Sequence, residues 1–243
     1  MAGPVHWSAL VVADDPTATL PEALRGLEAL TPPPSVTVVD NAPAGQKRPD
    51  IVWPGLRWLR NPRPQSVGHS YNQALELALA HAQGDLENNF ALLITPDVIV
   101  GTDLLQKLEA LFDAEPLLAV VGPKLRRAYI AGSLDGDRRE IEFSDTLDGI
   151  GITVNWLGKA NFIGRGEPDD GQQILKKPPY APSPACFAVR LSALRALSAH
   201  GPWFQENGEW QRVSIGLFRR LEGAEYRLTV ATEAVSWRLT SRV

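Results

Sequence analysis

The chain has 243 residues, of which 44% are hydrophobic and 21% are charged, values typical of an ordinary globular protein. A chain of this length buries enough surface to fold without a disulfide or a structural metal. Its 24 basic and 28 acidic residues give a net charge of −4, which lacks the broad positive charge of a general nucleic-acid-binding protein. The single cysteine, Cys186, excludes an intramolecular disulfide and any Cys-x-x-Cys motif.

No segment of the sequence has the pattern of a targeting or membrane-spanning element. Residues 1–10 contain no Lys or Arg and no apolar stretch of signal-peptide length. The apolar runs elsewhere are too short to cross a bilayer. We therefore expect a cytoplasmic protein, and peripheral membrane association through a partner or a lipid-linked substrate is compatible with this expectation.

The N-terminal segment predicts a β-α-β unit. Ser8 to Val12 is a short, β-branched apolar run that ends before Pro16, which predicts a buried strand. Leu20 to Leu30 has apolar residues at helical spacing with prolines beyond its end, which predicts an amphipathic helix. Val36 to Val39 predicts a second buried strand, so this order implies a parallel sheet with a right-handed crossover.

The alternation of strands and helices continues through the first half of the chain. The pattern predicts strands at Leu56 to Leu59, Phe90 to Ile94 and Leu118 to Val121, and helices at Tyr71 to Ala82 and at Thr102 to Phe112, with Thr102 as N-cap. Alternation of this kind predicts a doubly wound α/β sheet that binds ligands at the carboxyl ends of its strands. The polar residues at those ends are Asp14, Asp15, Asp40, Asn41 and Asp97.

The second half of the chain has a different composition. Residues 126–184 are rich in Gly, Asp, Arg and Pro, which predicts long functional loops with only short alternating pieces. Periodicity returns in Phe187 to Leu197, which predicts a strand that runs into a helix, and in Val213 to Leu221, which predicts a second helix. Tyr226 to Trp237 is the last predicted strand.

Three segments carry residues suited to a nucleotide site. Asp97 follows a buried strand and Pro96, where a carboxylate could meet a phosphate-bound divalent cation or could cap a turn. Asp40 ends another strand, and it could accept a hydrogen bond from a base or ribose or could belong to a turn. Gly68 opens a predicted helix, whose free amides could hold a phosphate.

These segments resemble family 2 glycosyltransferases. VVDNA (38–42), the loop from Gly68 to Asn72 and LLITPDV (92–98) occur in the order and spacing seen in that family. DGIG (148–151) and GRGEPDDGQ (164–172) are similar to its rhamnosyltransferase-like branch. ACFAVRLSALRAL (185–197) and Phe204-Gln205-Glu206 resemble acceptor-side motifs, so the resemblance extends from about Val5 to about Trp237.

The resemblance implies an α/β fold of the GT-A type, a Rossmann-like, mainly parallel sheet flanked by helices with a loop-rich acceptor-side half. It implies one domain over residues 1–243, with a nucleotide-sugar-binding half at 1–125 and an acceptor-side half at 126–243. The implied activity is inverting transfer of a sugar from a nucleoside-diphosphate sugar to a saccharide or lipid-linked acceptor. Deoxythymidine-diphosphate rhamnose is one candidate donor, and a partner glycosyltransferase is a candidate protein partner.

The resemblance also assigns site residues. Asp97 would be the surviving carboxylate of the Asp-x-Asp motif and would bind Mg²⁺ or Mn²⁺, with Thr95 at the motif's first position. GRGEPDDGQ would form an exposed loop over the donor crevice, with Arg165 near the diphosphate and its acids facing solvent or the sugar. The implied nucleotide-binding residues are Ala13, Asp14, Asp15, Asp40, Asn41, Gly68, Asn72, Thr95 and Arg165.

The acceptor side departs from the family pattern. Val213 and Ser214 fall where the family has a Glu-Asp pair whose Asp is the general base, and Gly216 replaces a further acid. Trp237 stands where the family often has a metal-side His, and Pro64 and Ser66 stand where Asn and Gly are usual.

Neither Val213 nor Ser214 can accept the proton that inverting transfer releases. Glu206 or Glu209 could supply the catalytic base if this loop folds differently from the family. The alternative is a catalytically silent, glycosyltransferase-like partner subunit. Trp156, Trp203 and Trp210 lie in the half where a sugar acceptor would stack on aromatic faces.

Overall fold

A computed structural model describes residues 4–16, 18–133, 139–171 and 178–241. The helices are α1 (Leu20–Glu28), α2 (Val67–Ala80), α3 (Leu104–Ala114), α4 (Leu191–Leu197) and α5 (Trp210–Gly223), with short 3₁₀ turns at Leu86–Asn88 and Ser198–His200. The strands are β1 (His6–Ala13), β2 (Ser35–Asp40), β3 (Leu56–Arg60), β4 (Asn89–Ile94), β5 (Val98–Ile99), β6 (Leu118–Ser133), β7 (Arg139–Gly149), β8 (Ile152–Val154), β9 (Ala160–Phe162), β10 (Cys186–Arg190) and β11 (Arg227–Leu239).

The large sheet has the strand order β3-β2-β1-β4-β10-β6-β11-β5, and β7 pairs with β6. The strands β3, β2, β1 and β4 are parallel to one another, as the β-α-β pattern predicts. The strand β10 runs antiparallel between β4 and β6, and β11 is parallel to β6. A separate antiparallel hairpin consists of β8 and β9. The predicted α/β sheet is therefore confirmed.

Helices cover both faces of the sheet, which explains why most residues of its central strands are apolar. The strand β4 is buried along its whole length, so neither of its faces can carry the polar alternation of a half-exposed strand. The apolar sides of α1 and α3 pack in one core cluster. Those of α2, α4 and α5 pack in a second cluster on the opposite face. Among the described residues, no helix is both long enough and apolar enough to span a membrane.

The prediction of long loops in residues 126–184 was partly wrong. The strand β6 runs to Ser133 rather than ending at Val121, and it forms a long antiparallel ribbon with β7. Charged residues recur along β7, because much of this ribbon is exposed and lacks the apolar signal of a buried strand. The strand β6 includes residue 125, so it belongs to both of the halves, 1–125 and 126–243, that the resemblance implies.

Two helix starts also differ from the predictions. The helix α2 begins at Val67, four residues before Tyr71, because the Ser66 hydroxyl accepts a hydrogen bond from the His69 amide at 3.2 Å. The helix α3 begins at Leu104 with Asp103 at the N-cap position, so Thr102 is not its cap. A side-chain cap accounts for the first shift only, because the Asp103 side chain makes no capping hydrogen bond.

Arg190 ties the central strands to the helices around them. Its guanidinium donates to the backbone carbonyls of Glu87 at 2.7 Å, Phe112 at 2.8 Å and Leu118 at 3.2 Å. It also lies over the rings of Phe90 and Phe112, with Cζ 5.2 and 5.1 Å from their centroids. Burial lowers the pKa of Arg190, against the charges of Glu87 and Asp113. Arg190, the first of the two arginines in the ACFAVRLSALRAL segment, is therefore structural.

Replacing Arg190 by Ala should lower the free energy of unfolding by about 2–4 kcal/mol, because buried carbonyls would lose their donor. Urea denaturation followed by circular dichroism measures this loss. Arg195→Ala, on the exposed side of α4, is the matched control and should change stability by less than about 0.5 kcal/mol. Equal effects of the two substitutions would contradict the structural role of Arg190.

Candidate functional site

The carboxyl ends of β1 and β2 meet at one edge of the sheet. Ala13 pairs with Asp40 at the ends of these strands. The Asn41 amide donates to Asp14 Oδ1 at 2.7 Å and to the Gln65 carbonyl at 2.8 Å. Asp15 accepts a hydrogen bond from Gln46 Nε2 at 2.8 Å. The structure therefore brings together Ala13, Asp14, Asp40 and Asn41, the residues predicted to surround a nucleotide.

Asp40 is fully buried and lies between two arginines. Its Oδ2 accepts from Arg48 Nε and from Arg60 Nη1, both at 2.8 Å, and its Oδ1 accepts from the Ala42 amide at 3.2 Å. Sequence reasoning missed both arginines, because neither belongs to a motif. They place positive charge at the predicted base and ribose pocket. Contact between Asp40 and a nucleotide stays a prediction.

Gly68 and Asn72 lie against the segment that leads to α5. A Cβ on Gly68 would lie 2.1 Å from the Gln205 carbonyl oxygen, so only glycine permits this approach. The Asn72 amide donates to the Phe204 carbonyl at 2.8 Å and accepts from the Phe204 amide at 3.0 Å. Both residues hold residues 204 and 205 in place. Their contact with a nucleotide stays a prediction.

Asp97 is part of a chain of alternating acidic and basic groups beyond the end of β4. Its Oδ1 accepts from Thr95 Oγ1 at 2.5 Å, and its Oδ2 accepts from Arg238 Nε at 2.7 Å. Arg238 Nη1 lies 3.4 Å from Asp148 Oδ2, and Arg165 Nη2 lies 3.4 Å from Asp148 Oδ1. Arg165 is therefore connected to Asp97 through two residues, on the same side of the molecule.

Arg238 was missed because the resemblance directed attention to its neighbour, Trp237. Trp237 packs edge-on against Phe143, with ring centroids 4.9 Å apart. Burial alone would lower the pKa of Arg238, but the charges of Asp97 and Asp148 outweigh burial and raise that pKa above its ordinary value. Arg238 is therefore a fixed positive charge beside the carboxylate predicted to bind a metal.

The residues around Asp97 could supply only part of the ligand shell of a divalent cation. In the described ranges, no three His, Cys, Asp or Glu side chains cluster as metal ligands. Mg²⁺ and related cations at phosphate sites often take one or two protein carboxylates and complete their shells with phosphate oxygens and water. Asp97, with the Thr95 hydroxyl beside it, fits a cation that arrives with a diphosphate.

Backbone hydrogen bonds and ion pairs hold the GRGEPDDGQ segment against the β6–β7 ribbon. The Gly166 amide donates to the Leu147 carbonyl, and the Leu147 amide donates to the Glu167 carbonyl, each at 2.9 Å. The side chain of Asp169 is 1% exposed and contacts Lys124 at 2.8 Å and Arg126 at 2.6 Å. The expectation that the acids face solvent or the sugar is therefore wrong for Asp169. Gln172, the last residue of the segment, lies outside the described residues.

The two cations around Asp169 also determine its ionisation. Burial by itself would raise the pKa of Asp169, but hydrogen bonds and charges from Lys124 and Arg126 outweigh burial and hold the pKa below its ordinary value. Ionised Asp169 therefore stabilises the folded segment at neutral pH. This contribution is lost only in acid, as the pH falls through the lowered pKa.

A cleft of about 950 Å³ lies between the β8–β9 hairpin and α5. Residues of the hairpin and of α5 line this cleft. Arg165, the residue connected to Asp97 through Asp148 and Arg238, lines it as well. Among the lining residues are Phe162, Arg165, Gln205, Glu209, Arg212 and Arg219. The cleft is large enough for a drug-sized ligand.

The structure separates the candidates for a catalytic base. Glu209 occupies the N-cap position of α5 and lines the cleft. Glu206 is not among the cleft-lining residues, and its Oε1 lies 3.2 Å from His69 Nδ1. Ser214 is fully buried and donates to the Trp210 carbonyl at 2.7 Å, and Val213 is buried beside it. The position that the resemblance aligns with the general base therefore faces the core in this chain.

Two of the three tryptophans expected near an acceptor are structural. Trp203 is buried and donates to the Leu194 carbonyl at 2.8 Å. Trp210 donates to the Pro184 carbonyl at 2.7 Å and stacks on Tyr71, with centroids 4.0 Å apart. The Tyr71 hydroxyl in turn donates to the Ile94 carbonyl, at 3.0 Å, where β4 ends. Trp156, by contrast, is 90% exposed at the tip of the β8–β9 hairpin.

Comparison with known proteins finds similarity in structure but not in sequence. No protein-family model matches the chain. No curated protein matches it in sequence. The structure of GalNAc-T7 with UDP, GalNAc and Mn²⁺ is similar over 98% of this chain and 43% of its own, at a TM-score of 0.69 and 13% identity.

Two further structures are similar over 97% of this chain. Staphylococcus aureus TarS, residues 1–349, has a TM-score of 0.55 at 14% identity, and the match covers 60% of it. The mannosyltransferase PcManGT from Pyrobaculum calidifontis, in complex with GDP-Man and Mn²⁺, has a TM-score of 0.56 at 12% identity over 57% of its chain. The chain thus spans between 43% and 60% of the lengths of these three proteins. It has the GT-A glycosyltransferase fold.

Proposed function

We propose that this chain is a glycosyltransferase that transfers a sugar from a nucleoside-diphosphate donor to an acceptor hydroxyl. The observation that carries the proposal is the link from Asp97, through Arg238 and Asp148, to Arg165 in the cleft, within a GT-A fold. This link joins the predicted nucleotide edge to a space for an acceptor. Family 2 membership, an inverting reaction and a deoxythymidine-diphosphate rhamnose donor are the finer proposals from the sequence.

On the donor side, the nucleoside would bind along the ends of β1 and β2, beside Asp14, Asp40 and Asn41. The diphosphate would then lie near Thr95 and Asp97. These two residues would hold a divalent cation, and such a cation, when bound, offsets the negative charge that develops on the leaving diphosphate. Two of the similar structures contain Mn²⁺, which supports this part of the proposal.

On the acceptor side, we assign the catalytic base to Glu209. The acceptor oxygen attacks the anomeric carbon from the side opposite the diphosphate, and its proton passes to the Glu209 carboxylate. The bond from the anomeric carbon to the diphosphate breaks, and its electron pair goes to the diphosphate oxygen. Glu209 suits this role because it lines the cleft next to Gln205 and Arg212, whereas Ser214 is buried.

The buried Ser214 also supports a second candidate function, a donor-binding partner subunit that does not transfer sugar. The family's base position is lost in this chain, so such a subunit would bind a nucleoside diphosphate without turnover. Ser214→Asp would not restore a base, because it would place the carboxylate in the core. Gly216 lines the cleft with open space at its Cβ position, so Gly216→Glu is the better gain-of-base variant.

We further propose that the acceptor is lipid-linked and that the β8–β9 tip touches the membrane. Trp156 and Leu157 are 90% and 70% exposed on a turn that Asn155 Oδ1 holds through the amides of Leu157 and Lys159, at 3.0 and 2.9 Å. The guanidinium of Arg219 lies about 3.8 Å from the Cβ position of Gly158 in the same turn. An ordered tip with exposed Trp and Leu beside cations suits an anionic membrane surface.

The donor proposal predicts that UDP, GDP or dTDP binds to the wild-type protein and that Mn²⁺ strengthens the binding. Asp97→Asn should abolish this Mn²⁺-dependent gain, because it removes the carboxylate that lies next to the Thr95 hydroxyl. In the presence of Mn²⁺ the affinity of Asp97→Asn should fall by up to about tenfold, to the value that the protein has without the metal. Isothermal titration calorimetry measures it, with Asp103→Asn in the next helix as control. Absence of binding by all three nucleotides would contradict the proposed function.

The assignment of Glu209 predicts that Glu209→Gln lowers the rate of sugar transfer or donor hydrolysis by about 10²–10⁴-fold. Nucleotide affinity should stay unchanged. Glu222→Gln, on the last turn of the same helix, is the matched control and should keep the wild-type rate. If Glu206→Gln alone abolishes turnover, Glu206 is the base instead. A wild type that binds donor but gains turnover only in Gly216→Glu would favour the partner-subunit alternative.

The membrane proposal predicts co-sedimentation with phosphatidylglycerol vesicles and weaker binding to phosphatidylcholine vesicles. The double change Trp156→Ser and Leu157→Ser should reduce vesicle affinity by about a hundredfold or more, because each apolar side chain contributes about 1.5–3 kcal/mol when buried. Val52→Ser is the control, since Val52 is 88% exposed outside the hairpin. Equal sedimentation of the double variant and wild type would contradict a membrane role for the tip.

A further inference from the structure

Arg238 is held beside Asp97 by the main chain as well as by its side chain. It pairs with Val98 across the β11–β5 ladder, and the next amide, of Leu239, donates to the Asp97 carbonyl at 2.7 Å. On its other side, Arg238 pairs with Arg127 of β6. Strand pairing on both sides therefore fixes the backbone position of Arg238, and with it the point from which its side chain extends toward Asp97.

The charges balance within the series of contacts that runs from Asp97 through Arg238 and Asp148 to Arg165. Asp97 and Asp148 contribute two negative charges, and Arg238 and Arg165 contribute two positive charges. A carboxylate that is already paired with a guanidinium attracts a second cation less strongly than an unpaired carboxylate does. A diphosphate that approaches the same place meets two guanidinium groups. The local field therefore suits a phosphate anion more than it suits a cation alone.

Arg165 and Arg238 contact Asp148 at distances long enough for a diphosphate to replace Asp148 as their partner. Both distances are 3.4 Å, whereas strong charge-assisted hydrogen bonds measure about 2.7–2.9 Å. A guanidinium has five N–H donors in a planar fork that matches two phosphate oxygens. Arg238 can thus keep its 2.7 Å bond to Asp97 through Nε while its Nη donors turn to a diphosphate.

We propose that Arg238, with Arg165, binds the donor diphosphate directly, so that a nucleoside diphosphate stays bound when divalent cations are removed. This inference rests on the proposed function and specifies how its donor site works. Asp97 then has two roles: it orients Arg238 at all times and contacts a divalent cation when one accompanies the donor.

The test is calorimetry of UDP, GDP and dTDP with the wild type, in Mn²⁺ and in EDTA. We expect the wild-type Kd in EDTA to lie within about tenfold of its value in Mn²⁺, and Arg238→Gln to raise the Kd in EDTA by at least about thirtyfold. In Mn²⁺, the increase in Kd caused by Arg238→Gln should be far smaller than its increase in EDTA. Asp97→Asn should keep its affinity in EDTA, because the side-chain oxygen of Asn can still accept the hydrogen bond from Arg238 Nε and so keep Arg238 oriented toward the phosphates.

A second readout uses no nucleotide. Electron paramagnetic resonance measures Mn²⁺ binding to the protein alone, and Arg238→Gln should bind Mn²⁺ more tightly than the wild type, because Asp97 loses its guanidinium partner. Arg227→Gln is the matched control, since Arg227 starts the same strand and pairs with Glu115 at the surface. If Arg238→Gln folds poorly, the double variant Arg238→Gln with Asp148→Asn removes the charge of the buried carboxylate that would be left with Arg165 alone.

The outcomes separate this inference from the proposed function. Nucleotide binding that requires Mn²⁺ in the wild type, with no change in Arg238→Gln, would overturn the inference and leave the proposed function intact. Failure of every nucleotide to bind in both conditions would overturn both. Binding in EDTA that is lost in Arg238→Gln and kept in Arg227→Gln would establish the role of Arg238.

Discussion

The position of the antiparallel strand β10 determines where the chain goes after β4, and therefore where Asp97 of the proposed donor site lies. It fills the place between β4 and β6, and the residue before it, Ala185, accepts from the Thr95 amide at 2.9 Å. This bond directs the chain out of β4 toward Asp97. The close fit requires glycine at position 122, where a Cβ would lie 2.5 Å from the Cys186 carbonyl oxygen. A shift of β10 would therefore move the Asp97 loop together with β6.

A second general feature is that each buried acid of the site has basic partners from other elements. Asp40 lies between Arg48 and Arg60, and Asp169 lies between Lys124 and Arg126. Burying an unpaired carboxylate would be costly, and the basic partners reduce this cost. They also leave the crevice far less acidic than its count of carboxylates suggests. A donor with several negative charges can approach it.

Buried elements could be predicted from the sequence, and contacts between distant residues could not. The strands β1, β2 and β4 were recognised because most of their residues are buried and apolar. The ribbon of β6 and β7 was missed because its exposed positions carry charges. Arg238 was missed because its partner Asp97 is 141 residues away in sequence and no local pattern links the two. Similarly, only the fold shows that Ser214 faces the core while Glu209 lines the cleft.

The stack of Tyr71 on Trp210 gives the site a fixed internal dimension. Tyr71 bonds through its hydroxyl to the last residue of β4, and its ring lies 4.0 Å from that of Trp210, the residue after Glu209. One rigid aromatic pair thus spans from the strand that presents Asp97 to the helix end that presents Glu209. The spacing between Asp97 and Glu209, the proposed metal ligand and the proposed base, is then a property of the protein core. In the proposed reaction, the protein would hold these two groups in position before the donor binds.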